Sequence, residues 1–226
     1  MGDRSPNLGL FLLFVVLLQF GYPLTLHGPG WTALYMLLYA GMIVFGLRVV
    51  HDERDRVLPV LVIGVVLAFF ALWVAVDPQY RVALLGLFAT LSAFQVGVVY
   101  SLLKFVYWRS AAHSLDVIVA AISVYLLIGG VFAAWFSAVE ILLPGSFVDS
   151  AYPGEAMTWQ RFVYFSYVTL ATLGYGDIVA VEPWMRSMAA FEAVIGTLFL
   201  ATVIARLVGV YVGVASRRHG DGGASG

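Results

Sequence analysis

The chain has 226 residues, enough for one or two ordinary domains, yet only 12 Lys and Arg and 13 Asp and Glu among them. The charged fraction is 11%, with 62% hydrophobic residues and 15% aromatics, and the mean hydropathy is +0.95; soluble domains carry about 25% charge, so lipid is the solvent for most of this chain. A formal net charge of −1 leaves no basic surplus for neutralising phosphates, which argues against a nucleic-acid partner, and the absence of Cys removes disulfides, thiolate catalysis and Cys-ligated metal sites together.

A spanning helix needs about 20 mostly apolar residues, and the charges cut the chain into six runs of about that length. These are Leu8 to Leu26, Trp31 to Val50, Val57 to Val76, Val82 to Leu103, Leu115 to Leu142 and Trp184 to Val214. His27-Gly28-Pro29-Gly30 suits a tight hairpin between the first two, and Asp77-Pro78 closes the third. The last run exceeds a perpendicular crossing and predicts a tilt or a projection beyond the bilayer. The first lacks the basic leader and small-residue cleavage site of a signal peptide, so it reads as a retained helix.

Basic residues near span ends set orientation. With the N-terminus in the cytoplasm, the inner side holds Arg4, Arg48, Arg54, Arg56, Lys104, Arg109, Arg217 and Arg218, against Arg81, Arg161 and Arg186 outside. That imbalance predicts a multi-pass cell-membrane protein with both termini cytoplasmic. The organisation expected is a four-helix membrane domain over 1–110, a second membrane unit over 111–216 and a short disordered tail over 217–226.

One connection stands apart, the roughly 40 residues from Leu143 to Pro183, and long loops carry function. It contains Pro144-Gly145 and Pro153-Gly154, then an amphiphilic segment Thr158 to Leu170, then Thr172-Leu173-Gly174-Tyr175-Gly176-Asp177. This run resembles the selectivity filter of tetrameric potassium channels. Backbone carbonyls replace an ion's water only if several successive ones face a common axis, which requires residues at positive φ, and Gly174 and Gly176 permit that without a Cβ clash. A helix over Thr158 to Leu170 would aim its partly negative C-terminus at the path, favouring a cation.

The resemblance covers about Leu115 to Val214. Arg161 to Asp177 aligns without gaps to the pore helix and filter of simple two-helix potassium channels, and Gly196, 20 residues after Gly176, falls where that family has its inner-helix hinge. Glu140 resembles the glutamate that braces the outer helix against the loop beyond the filter. The resemblance implies K+ coordination by Thr172, Leu173, Gly174 and Tyr175, with Gly176 completing the filter, and filter support from Asp177, Tyr164, Phe165, Val168, Thr169, Glu140 and Glu192. One chain supplies one such loop, so encircling an ion implies a homotetramer.

The sequence also departs from the family. A frequent Trp pair is replaced by Tyr164, which keeps a hydroxyl able to reach Asp177, and Phe165, which cannot hydrogen-bond Tyr175. Val168 stands where some members place Glu, Leu173 replaces the commoner Val and Ala171 a frequent Thr.

Glu192 is a carboxylate inside an apolar run, a rare and usually functional or paired residue. It either faces a cavity under the filter, concentrating cations, or faces the pore helix and accepts hydrogen bonds from Thr169 or a neighbouring amide; the second reading is favoured because a polar partner offsets burial. Gly196 has two readings as well, a hinge or a site of close helix packing. Arg206, about 15 Å along the helix from Gly196, is expected to snorkel or pair near the inner mouth. The fourth span, Val82 to Leu103, contains no Arg or Lys, so the arginine row of a voltage sensor is absent. Outside, Asp149, Glu155, Asp177 and Glu182 outnumber Arg161 and Arg186, which predicts a negative vestibule.

The expectation is an all-α integral membrane protein with six transmembrane helices per chain and a re-entrant pore helix and filter between helices five and six. It is expected to conduct K+ passively as a homotetramer embedded in lipid, with no cofactor beyond the permeant ion. The alternatives are a weakly selective monovalent cation channel and a non-conducting regulatory subunit. An enzyme is not expected, since the chain has no HExxH, no Gly-x-Ser-x-Gly and no paired intramembrane carboxylates.

Overall fold

The computed structural model describes residues 4–52, 57–77, 79–108 and 114–222, with backbone alone at 4–6, 29, 32–33, 51–52, 57, 114 and 210–222. Arg54, Arg56 and Arg109 of the orientation reading lie outside the described residues, as do the side chains of Arg4, Arg217 and Arg218. The elements in chain order are α1 (Arg4–Phe20), a 3₁₀ helix (Tyr22–His27), α2 (Pro29–Asp52), α3 (Val57–Val76), α4 (Arg81–Trp108) and α5 (Ser114–Leu142), then β1 (Phe147–Asp149), α6 (Trp159–Leu170), β2 (Ile178–Ala180) and α7 (Pro183–Gly222).

Among the described residues, four helices are long and apolar enough to cross a membrane, over 58–76, 81–108, 115–142 and 183–209. The apolar stretches of α1 and α2 are shorter, 7–20 and 34–50. α1 stops at Phe20 rather than at the Leu26 that the apolar run predicts. The Gly21 amide closes the helix on Leu17 O, and Pro23 has no N–H to continue it, so the chain tightens into the 3₁₀ segment. At the other end α7 continues through Gly222, past Gly220 and into the stretch expected to be a disordered tail.

The helices pack in an order that follows the chain. α4 lies along α5 and α3 along α4, while α1 pairs with α2 and also contacts α5. The main core lies among these helices, with Phe11, Phe94, Leu102, Val124 and Leu127 fully or almost fully buried. A second, aromatic core holds the loop region: Phe147 of β1 meets Phe162 of α6 edge-on at 4.9 Å, and Phe136 of α5 meets Phe147 and Phe165 at 5.4 Å each. This core fixes α6 against α5, and α7 packs on both α6 and α5.

α2 and the segment before it reach α6 directly. Tyr35 donates its hydroxyl to Leu18 O at 2.8 Å and packs at a tilt on Trp159 at 5.7 Å, and Gln160 Nε2 donates to Thr25 Oγ1 at 3.3 Å. Phe20 packs on Tyr167 at 5.5 Å.

Candidate functional site

The residues from Thr158 to Ala180 form a helix, a turn and a strand whose conformation is set by local backbone chemistry. Thr158 is extended (φ −103°, ψ 158°) and leads into α6. At its C-terminal end the amide of Ala171 bonds Tyr167 O (3.0 Å) and that of Thr172 bonds Thr169 O (2.9 Å). Val168 O then accepts the Leu173 amide at 2.9 Å and the Gly174 amide at 3.4 Å. Val168 thus contributes a carbonyl where its apolar side chain gives no signal.

Beyond this point φ is positive at Thr172 (57°), Gly174 (57°) and Gly176 (80°). Thr172 is the one non-glycine with positive φ among the described residues. Positive φ at alternate residues takes the chain out of the conformation of a regular strand. Residues Ala171 to Gly176 are all exposed on the chain, Leu173 at 56% and Tyr175 at 66%.

Asp177 leaves this segment. Its Oδ2 accepts the Tyr164 hydroxyl at 2.7 Å, a bond that holds the Asp177 carboxyl below the usual aspartate value. The Asp177 carbonyl accepts both the Ser150 amide (2.7 Å) and the Ser150 hydroxyl (2.9 Å). β2 follows at once, antiparallel to β1, with Asp149 opposite Ile178. The outer loop therefore clasps the exit of the turn through Ser150, a residue that no motif marks.

Glu140 is expected from the sequence to brace the loop beyond the turn, but its partner is different. Its Oε1 accepts the amide of Gly145 at 2.7 Å, because the Pro144-Gly145 turn, with Gly145 at φ 87°, folds back over the end of α5. The brace to the segment after Gly176 comes from Ser150 instead. Phe165 is buried in the aromatic core against Phe136 and Phe147. Thr169 is half-buried, and its carbonyl serves the Thr172 amide.

Glu192 is completely buried. Its Oε1 accepts a hydrogen bond from Ser166 of α6, not from Thr169, and Ser166 Oγ also lies 2.7 Å from Gly129 O of α5. One turn further along α7, a Cβ on Gly196 would stand 2.5 Å from Leu170 O. Glu192 and Gly196 are four apart on α7, as Ser166 and Leu170 are on α6, so each pair lies on one helix face and the two faces meet. Gly196 is thus a position of close backbone approach, with no room for a side chain. Near the far end of α7, Arg206 lies over the Tyr107 ring of α4 at 5.9 Å.

The outer acidic residues are largely engaged within the chain. Arg161 pairs with Asp149 (3.5 Å) and with Glu155, and lies over the Tyr152 ring at 4.4 Å. Glu182 Oε2 accepts the Met185 amide at 3.0 Å and caps α7. The expected charge excess is therefore a set of internal partners more than a free field.

Residues 121–212 match the model of a family described as an ion channel. No solved structure matches the chain. The matched segment runs from α5 through the loop, α6 and the positive-φ turn into α7. Over these residues, fewer than half of the chain, the protein is similar to that family of ion channels.

Proposed function

We propose that the protein is a potassium-selective channel in which four copies of the segment Thr172 to Gly176 surround a common axis. The observation that carries this reading is the alternation of positive φ at Thr172, Gly174 and Gly176 in an exposed turn directly after α6. The carbonyls of Thr172, Leu173, Gly174 and Tyr175 and the Thr172 hydroxyl replace the water of a dehydrated cation. A single chain leaves that turn and much of α7 uncovered, including Phe191, Val194 and Leu198, and irregular backbone at membrane depth is tolerated only where protein or a polar path covers it. Fourfold assembly meets both needs.

In this reading α1 to α5 and α7 cross the bilayer, α6 enters and leaves on one side, and both termini face the cytoplasm. Arg48 and Lys104 sit near the C-terminal ends of α2 and α4, whereas Arg81, bonded to Ile141 O, and Arg161 sit at the end that carries the turn. This separation supports the orientation. The domain boundaries at 110 and 216 follow from the same division, and no enzymatic role is assigned.

Rubidium uptake into proteoliposomes tests the proposal. Uptake by the wild type, lost in Gly174→Ala and Gly176→Ala, is the expected result; unchanged uptake in both variants overturns it. A second reading, a weakly selective cation channel, is favoured by one observation: Phe165 is packed in the aromatic core and offers no hydrogen bond to the Tyr175 ring. Reversal potentials with sodium and potassium on opposite sides decide between the two. Wild-type protein that assembles but passes no ion under any condition would instead make it a regulatory subunit.

A further inference from the structure

We propose that the open cavity between α4, α5 and the outer loop binds an organic ammonium ion with an apolar or aromatic body. Its volume is about 880 Å³, and it lies between the start of α4, the end of α5, the loop from Pro144 to Thr158 and the start of α6. Sites for small organic ligands are typically about 300–1,000 Å³, mostly apolar, with a few polar groups that fix orientation. This cavity has that character. The rings of Phe88, Tyr152 and Trp159 contribute to its walls, together with three carboxylates, Glu140, Asp149 and Glu155. Among the described residues that line it there is no Lys, Arg or His.

The carboxylates differ in what they have left to offer. Asp149 and Glu155 share Arg161, whose guanidinium already covers one face of Tyr152. Glu140 spends Oε1 on the Gly145 amide, but its Oε2 is shielded from water and has no hydrogen-bond partner. A buried acceptor without a donor costs free energy that any donor can recover. Glu140 lines the cavity, and a ligand that donates to this oxygen while Oε1 stays on the Gly145 amide recovers that cost.

An ammonium group matches these requirements in three ways. It donates to the orphaned oxygen, its charge answers the Glu140 carboxylate, and its apolar body matches a lining that includes Trp159 and Phe88. An anion meets the Glu140 carboxylate, and a neutral ligand leaves its charge unanswered. A bare alkali ion fills neither the volume nor the apolar walls. None of the residues Thr172 to Gly176 lines the cavity, so the site stands apart from the conduction path and does not depend on it.

Calorimetry on the full chain in detergent, with 1-naphthylmethylammonium as the probe and neutral 1-naphthylmethanol as its control, tests the proposal. The expected result is saturable binding of the amine, with the alcohol at least tenfold weaker. Glu140→Gln is expected to weaken the amine at least tenfold. Ala156→Trp, at an exposed wall position, is expected to abolish binding. Should Glu140→Gln fail to elute as the wild-type particle, the amine-to-alcohol ratio and Ala156→Trp still decide. Equal affinity for amine and alcohol, no saturable binding, or binding unaffected by Ala156→Trp each overturns the proposal. So does a co-purifying lipid that Ala156→Trp expels and the amine does not, which assigns the cavity to lipid. Binding is read directly, so the outcome is the same for a protein that conducts no ion.

Discussion

Ser166 on α6 and Glu192 on α7 are both completely buried and are hydrogen-bonded to each other. This bond joins the helix that leads into the positive-φ turn to the helix that follows it. The same seam continues one turn on, where Gly196 approaches Leu170 O, two residues before Thr172. The seam thus joins α7 to the residues at the base of the turn.

Glu192→Ala removes the carboxyl, leaves a void and takes one acceptor from the Ser166 hydroxyl. A buried cavity and a lost polar partner together cost about 2–4 kcal/mol. The thermal transition of the solubilised protein is expected to fall markedly, while Glu192→Gln, which keeps the shape and an acceptor, falls less. Equal losses in both variants would show that the hydrogen bond has no part in the effect.

Gly196→Ala places a methyl carbon at 2.5 Å from a carbonyl oxygen of the backbone, so α6 and α7 must separate. Overpacking of this kind costs about 1–3 kcal/mol. Gly209 is on the same helix with nothing within 4 Å of its added Cβ, and Gly209→Ala gains helix propensity of up to about 1 kcal/mol. Thermal denaturation in detergent is expected to move in opposite directions for the two substitutions.

Tyr164→Phe deletes the hydroxyl that holds the Asp177 carboxyl below the usual aspartate value. A carboxylate with a depressed value in the folded protein contributes stability that is complete above its unfolded value and is lost as pH falls through the folded one. The wild type is therefore expected to keep its flux to more acid pH than Tyr164→Phe. Rubidium uptake measured as a function of external pH checks this, and coincident acid limbs would contradict it.

Between Arg81 and Lys104, α4 carries no basic residue. A charge that crosses the membrane field contributes about 2.3 kcal/mol per 100 mV, and α4 has none at mid-span to supply it. Conductance in planar bilayers is expected to vary shallowly with voltage, and a steep sigmoid equivalent to several gating charges would refute the expectation.

Part of the fold is legible in the sequence because it depends on local composition. Apolar runs bounded by charge mark α3, α4, α5 and α7 to within a few residues at most of their ends, since each must bury its backbone polar groups internally in lipid. Gly174 and Gly176 announce positive φ because a Cβ opposes that conformation. Thr172 adopts it too, with no such announcement; the Thr172 amide is tied to Thr169 O and the Leu173 amide to Val168 O, which sets the turn regardless of side chain. The end of α1 escapes a hydropathy reading, which does not register that Gly21 and Pro23 end a helix inside an apolar run.

By itself the sequence determined the solvent, the helical runs, the place of the one long loop and the glycines that let its backbone turn. Only the tertiary structure decided which groups meet. Glu192 takes Ser166 and not Thr169, Glu140 takes Gly145 and leaves one oxygen unpartnered, Ser150 holds Asp177, and Phe165 turns into the aromatic core. The reason is physical: hydropathy and glycine chemistry act within a few residues of one chain segment. The partner of a buried polar group depends on the rotation and offset of two packed helices, and a shift of one residue in either would present a different face.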